Sequence, residues 1–176
     1  MNYDLTVKFT QFPLHPETPE EGSVRGPEVI ARNQRMKVNM DREGLPYNAE
    51  RNVSYNSRLA QELSKWAESK GKGDEIHSAL FRAYFVDVKN IAKVQPLVEI
   101  AKEVGLPADE ATDVLLSRSF KDIVDNDWRR CAAVGVNAVP TFLAGRYLMV
   151  GAQPYVELER LVQHATKSPN NEANKV

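Results

Sequence analysis

Apolar and polar residues alternate over Leu5-Thr6-Val7-Lys8-Phe9-Thr10, the period of two that marks a half-buried β-strand. Phe12-Pro13-Leu14-His15-Pro16 ends it, because each proline holds the residue before it away from helix. Residues 16–27, with their prolines and with Gly22 and Gly26, read as a loop. The period then lengthens. Val29, Ile30, Asn33 and Met36 predict a helix over 27–40, broken by Gly44-Leu45-Pro46-Tyr47. Asn56 or Ser57 caps a helix carrying Leu59, Ala60, Leu63, Trp66 and Ala67. Gly71 and Gly73 end it, and Asp74 is the expected cap of a helix with Ile76, Ala79, Leu80, Ala83 and Tyr84 on one side. Val94 to Val104 is amphipathic and closes on Gly105. Pro107-Ala108-Asp109 opens another helix, bearing Val114 and Leu115. A last one before the C-terminal region runs from Phe120 to Ala133, its stripe made of Phe120, Val124, Trp128 and Cys131 or Ala132, and Gly135 stops it.

From Val136 the pattern shortens again. Pro140 stands at the mouth of an apolar run, where a missing N–H does little harm. Ala144-Gly145-Arg146 makes a turn, and Tyr147-Leu148-Met149-Val150 returns, a hairpin signal. Pro154 can open a closing helix, with Leu158, Leu161, Val162 and Ala165 as its apolar side. Residues 168–176 are polar and read as a frayed tail.

Composition narrows the class. The chain has 176 residues, 42% hydrophobic and 27% charged, which suits a soluble domain with a core, or such a domain with an insertion. A net charge of -1 gives no basic field for nucleic acid. No run of about 18 apolar residues could span a bilayer. Met1-Asn2-Tyr3-Asp4 lacks the basic and apolar regions of a secretory signal. One cysteine rules out an internal disulfide, and these features together suggest the cytoplasm.

Several strings resemble the DsbA-like thioredoxin family, in particular its cytosolic FrnE-like branch. Val139-Pro140-Thr141-Phe142, the hairpin, Gly151-Ala152-Gln153-Pro154 and the closing helix are similar to that family's last third. Gln11-Phe12-Pro13-Leu14-His15-Pro16-Glu17 resembles the segment after its second strand, with His15 where asparagine is usual. Asn56-Ser57-Arg58-Leu59-Ala60 and Ala79-Leu80-Phe81-Arg82-Ala83-Tyr84-Phe85 resemble its helical insertion. The resemblance covers about residues 3–166. It implies an α/β thioredoxin-like mixed sheet with an α-helical insertion subdomain: 1–24 and 134–167 as the thioredoxin-like half, 25–133 as the insertion. It also implies that Val139–Pro140 is cis, and that Val139, Pro140 and Thr141 bind substrate through the Val139 backbone, the ligand being a peptide, a protein disulfide or glutathione. No cofactor or metal is implied.

The family's first strand, its Cys-x-x-Cys pair and its first helix have no counterpart in these residues. The resemblance puts that strand in mid-sheet, so two rows of backbone groups lose their partners, and exposed edges invite another chain. Three outcomes are expected: an upstream segment outside these residues, a homodimer that exchanges a strand or element, or local re-pairing.

Cys131 does not replace the pair. It lies beside Arg129-Arg130 near a helix C-terminus, where the dipole opposes a thiolate, and its apolar stripe favours a buried structural role. His15, His77 and His164 lie in no metal-ligand spacing; His15, between two prolines, is the one nearest the expected groove. Glu20-Glu21, Asp109-Glu110 and Asp125-Asn126-Asp127 read as helix-start or surface charges. Trp66, Tyr84, Phe85 and Trp128 read as helix core. Three functions follow: a protein disulfide oxidoreductase scaffold, impaired here without its cysteines; a glutathione-dependent isomerase or transferase of the 2-hydroxychromene-2-carboxylate isomerase type, which usually shows gly-x-asp-arg where this chain has Gly151-Ala152-Gln153-Pro154; or a non-catalytic remnant that binds peptide or dimerises.

Overall fold

The computed structural model describes residues 3–167. Its elements run β1 (Ser23–Val24), α1 (Pro27–Arg42), β2 (Val53–Ser54), α2 (Arg58–Ser69), α3 (Gly73–Phe85), α4 (Val94–Glu103), α5 (Ala108–Ser117), α6 (Lys121–Ala133), β3 (Thr141–Ala144), β4 (Tyr147–Val150) and α7 (Tyr155–Lys167). The expected tail at 168–176 lies outside the described residues. The chain divides into two units, Met1–Trp128 and Arg129–Val176.

The first unit is built on α2. Residues 61 to 67 are all buried, so this helix has no solvent face. Its apolar residues Leu63, Trp66 and Ala67 meet Ile76 and Leu80 of α3, Leu97 and Ile100 of α4, and Ala111 and Leu115 of α5. Leu63, Ile76, Leu97 and Ile100 are fully enclosed, and each such side chain contributes about 1.5–3 kcal/mol relative to exposure. Ser57 is the N-cap residue but its side chain makes no capping bond; instead Asn56 Oδ1 accepts the Arg58 N–H at 2.8 Å.

The boundary between α2 and α3 differs from expectation. Gly73 does not end a helix but begins α3, and Lys72 rather than Asp74 is its N-cap. Asp74 lies with Glu75 in the first turn, where carboxylates are favoured by the exposed N–H groups. Gly105 follows α4 as expected, with Leu106 N–H returning to Ala101 C=O at 3.0 Å. At the end of α5, Arg118 adopts a left-handed conformation, φ 56°, which a side chain bearing Cβ reaches at a cost of roughly 1–2 kcal/mol.

Residues 5–10 form no strand: they belong to no ladder among the described residues. A strand exists only where a neighbouring edge accepts its N–H groups, and alternation alone cannot supply that edge. The ladder that does form in this unit is a short one the periodicity missed, Ser23 opposite Ser54 and Val24 opposite Val53. Gly22, φ 87°, turns the chain into it. A polar hub holds α1 nearby. Asn33, the buried residue of that helix, donates to Arg51 C=O at 2.7 Å and accepts from the Tyr47 hydroxyl at 3.0 Å. The Arg51 guanidinium lies 4.5 Å from the Tyr84 ring centre and donates to Val53 C=O and the Tyr84 hydroxyl.

In the second unit, α6 closes with Val136 N–H on Cys131 C=O at 2.9 Å and Gly135 N–H on Ala132 C=O at 3.1 Å, a two-bond helix stop that uses a left-handed glycine. The hairpin pairs Thr141 with Val150, Phe142 with Met149, Leu143 with Leu148 and Ala144 with Tyr147. Helix α7 packs on both strands, and Leu161 is its buried contact.

Candidate functional site

The second unit carries the substrate-binding candidates. The Val139–Pro140 peptide is cis, the isomer the resemblance implied. Pro140 C=O accepts the Gly151 N–H at 2.7 Å, which ties the start of β3 to the end of β4. The Thr141 hydroxyl donates to Ala138 C=O at 2.7 Å, so its role within the chain is to close the loop before the strand. Gln153 donates from its side chain to Val150 C=O at 2.8 Å. Val139 is 47% exposed, and among the described residues no hydrogen bond engages its N–H or C=O. Strand β3 pairs with β4 alone among those residues. Val139 and the free edge of β3 therefore offer a row of backbone donors and acceptors, the arrangement to which an extended peptide adds as a strand.

Cys131 sits in the last turn of α6, buried. The three histidines are dispersed. His15 is exposed at φ 54° and lies 3.4 Å from Glu17. His77 is buried against the Phe9 ring, centroids 4.1 Å apart, and contacts Glu68. His164 lies by the Tyr147 ring. Among the described residues no three His, Cys, Asp or Glu side chains gather to hold a metal, and no helix is long and apolar enough to cross a membrane.

A polar seam that the sequence pattern hid runs along α2 in the first unit. Lys65 donates to Phe9 C=O at 2.8 Å and pairs with Asp127 and Glu68, each at 3.1 Å. Gln11 donates from its backbone to Asp127 at 2.9 Å and from its side chain to Ser64 at 2.8 Å. Gln61 donates to Phe12 C=O at 2.9 Å and accepts the Trp128 indole N–H at 2.8 Å. Side chains thus fasten residues 9–12 where no ladder does.

Beside the seam, Glu62 is fully buried. Arg118 donates to both of its oxygens at 2.8 and 2.7 Å, and Arg58 donates to one at 2.6 Å. Burial pushes the Glu62 carboxyl up, but the hydrogen bonds and charges of Arg118 and Arg58 outweigh it and hold its pKa below the ordinary value. The bond to Glu62 raises Arg118 in turn. Asp125 is lowered by its hydrogen bonds to Lys121 and then Arg58. Every charge here has a partner, so the cluster binds the structure together rather than presenting a reactive group. Sequence reasoning took Asp125 for a helix-start or surface charge and did not single out Glu62; the Gln-Glu-x-Ser-Lys order of α2 looks like a wetted helix face.

Comparison with known proteins places these features. A family model described as "DSBA-like thioredoxin domain" matches residues 1–163. The uncharacterized protein YwbO of Bacillus subtilis (strain 168) is 28% identical over 110 residues, 62% of this chain and 55% of that protein. This chain therefore spans about half the length of that curated relative. Among solved structures, a probable DsbA oxidoreductase from Streptomyces coelicolor is similar with a TM-score of 0.71 and 26% identity, covering 78% of this chain and 60% of that one. The cytosolic disulfide reductase DsbM from Pseudomonas aeruginosa, solved with GSH, is similar in fold: TM-score 0.56, 20% identity, 80% of this chain and 73% of that one.

Proposed function

The chain belongs to the family of DSBA-like thioredoxin domains, and from that premise we propose that it is a cytoplasmic thiol–disulfide exchange scaffold, impaired in exchange within these 176 residues. Its hairpin grips an extended peptide, a protein disulfide or glutathione at Val139, Pro140 and Thr141. A second copy of the chain is a further partner. In disulfide exchange a thiolate attacks one sulfur of the substrate, forms a mixed disulfide and releases the other as a thiol; a second thiol then resolves the adduct. These residues hold one cysteine, Cys131, and it is buried. What they supply is therefore the grip: the Val139 backbone pairs with the substrate strand and fixes the angle at which a sulfur arrives. The observation that supports this reading best is the exposed Val139 segment at the open edge of β3. The isomerase reading is weaker, because Gly151-Ala152-Gln153-Pro154 departs from the pattern usual in those enzymes.

Two measurements test the reading. In an insulin reduction assay the chain is expected to add nothing to the rate of the reductant alone. Acceleration that disappears in Cys131→Ser would overturn the impairment. In the second, ¹⁵N-labelled protein is titrated with glutathione and with an extended peptide. The Val139 and Thr141 amides should shift, at affinities of about 1 mM, the weak end of specific binding. Saturable shifts confined to other residues would remove the grip from this loop.

A further inference from the structure

We infer that the Arg51 guanidinium is an anion site that receives a carboxylate, carried by a small organic acid or by the C-terminus of a peptide. Among the described residues, Arg51, Glu62 and Lys65 are buried and charged at neutral pH. Glu62 is met by Arg118 and Arg58. Lys65 is met by Asp127 and Glu68. Arg51 is 9% exposed, yet it forms no ion pair with any described residue. A guanidinium cannot shed its proton to escape burial. A buried one is therefore ordinarily offset by an anion, and here the chain itself brings none.

The contacts Arg51 does make define the part of it that is unused. The Tyr84 and Phe85 ring centres lie 4.5 and 5.5 Å from its central carbon, and they attract the cation without accepting along the plane of its N–H groups. Nη1 donates to Val53 C=O at 2.9 Å and to the Tyr84 hydroxyl at 3.1 Å, which uses both of its hydrogens. Nε is buried and donates to nothing. Nη2 has no acceptor among the described residues either, but it is not sealed in. Nε and Nη2 share one edge of the planar group. Their parallel N–H bonds form the fork that matches the two oxygens of a carboxylate, and the acid reaches it from the Nη2 side. One cation with one open edge suits a monoanion better than a phosphate dianion. Tyr47, stacked on Phe85 at 6.1 Å, adds a third ring to the neighbourhood, which favours an acid with an aromatic body. The edge is presented from a held backbone, because Arg51 C=O accepts from the Asn33 side chain and Asn33 accepts from the Tyr47 hydroxyl. All of these groups belong to residues 33–85, so the setting owes nothing to the segment that precedes the β1–β2 ladder.

The experiment follows the Arg51 Nε–H resonance of the whole ¹⁵N,¹³C-labelled chain, assigned through bonds from the Arg51 backbone, during titration at constant ionic strength. Sodium benzoate should move this resonance saturably, with a Kd of about 1 mM, and slow its exchange with water. Benzamide, which has the same ring without the charge, and inorganic phosphate should leave it in place. A short peptide with a free C-terminus, set against the same peptide amidated, separates the two sources of the carboxylate. If only the free peptide and not benzoate moves the signal, the acid comes from a chain end; if both do, the group alone suffices. Arg51→Lys should weaken benzoate binding, read by calorimetry, about tenfold, because an ammonium is a point charge without the fork. Arg35→Gln, which removes an exposed charge of the same sign from α1, should leave it unchanged. Circular dichroism checks that both variants fold, and the resonance of the unmodified chain decides the matter if Arg51→Lys does not. Three results would overturn the inference: an Nε–H signal that neither benzoate nor the free peptide moves, equal movement with benzamide or phosphate, or undiminished binding in folded Arg51→Lys. Benzoate carries no thiol and the reporting atom lies in the first unit, so failure here is distinct from failure of the Val139 and Thr141 shifts.

Discussion

Glu62→Ala is expected to destabilise the first unit by about 3–5 kcal/mol, the range seen when one member of a buried ionic group is removed and the others are left without it. The physical reason is the position of the two guanidinium groups. Arg58 is largely enclosed and keeps Asp125, the Lys121 carbonyl and the face of the Trp128 ring. Arg118, more exposed, can turn to water. Arg118→Ala should therefore cost less, about 1–2 kcal/mol, because Arg58 still neutralises the carboxylate. The same cluster sets an acid limit. Glu62 has a folded pKa below its ordinary 4.5, and Asp125 below its ordinary 3.8. A lowered folded pKa gives stability that is complete above the unfolded value and is lost as pH falls through the folded one. Urea midpoints should thus be flat above about pH 5 and fall as the medium is acidified below it. In Glu62→Gln that fall should flatten, on a baseline already lower. An unchanged acid slope in this variant would mean that other carboxylates govern acid unfolding.

The second large effect is expected at Gly22. Its φ of 87° is left-handed, and a Cβ placed there would meet the Tyr55 ring at 2.7 Å and Val53 Cγ1 at 2.8 Å. Both neighbours resist movement. Tyr55 is packed against the core cluster and meets the Tyr84 ring edge-on, and Val53 is held by the β1–β2 ladder. Gly22→Ala should therefore cost about 2–4 kcal/mol, adding a left-handed penalty of about 1 kcal/mol to an overpacking cost of 1–3. Gly44→Ala is the control. Its φ is 67°, with nothing within 4 Å of a built Cβ, so it should lose only the backbone part, about 1 kcal/mol. Equal losses at the two positions, measured by urea unfolding, would show that the pocket around Gly22 yields.

What could be read from the sequence follows a physical divide. Helices α2 to α6 were legible because their apolar residues repeat at 3.6 and because Gly105 and Gly135 mark their ends. The hairpin was legible because Ala144-Gly145-Arg146 separates two short apolar runs. The alternation of Leu5, Val7 and Phe9 was read correctly as a pattern and wrongly as a strand: pairing needs a second edge, which one segment's periodicity does not contain. The opposite happened at Ser23–Val24 and Val53–Ser54, where two residues per strand are too few to show any period. Gln61, Glu62, Ser64 and Lys65 were illegible for a third reason. Polar residues on a helix normally face water, and only the arrival of residues 9–12, Arg118 and Asp127 from distant positions turns that side inward. At the candidate site, the residue types pointed to Val139, Pro140 and Thr141 through family likeness. That the Thr141 hydroxyl is turned back onto Ala138 is a matter of geometry and no spacing announces it.

The Gln61 side chain gives the molecule an optical property. Its amide is used at both ends, toward Phe12 and Ser57 from nitrogen and toward the Trp128 indole from oxygen, with the Arg58 guanidinium 4.5 Å above that ring. Trp66, by contrast, is sealed in the helical core. The two indoles of this chain thus emit from different surroundings, one tied to the N-terminal segment and one to the bundle. Peeling residues 9–12 away should shift the Trp128 contribution to the red while Trp66 stays blue, so a single fluorescence melt can separate detachment of the segment from collapse of the helices beneath it.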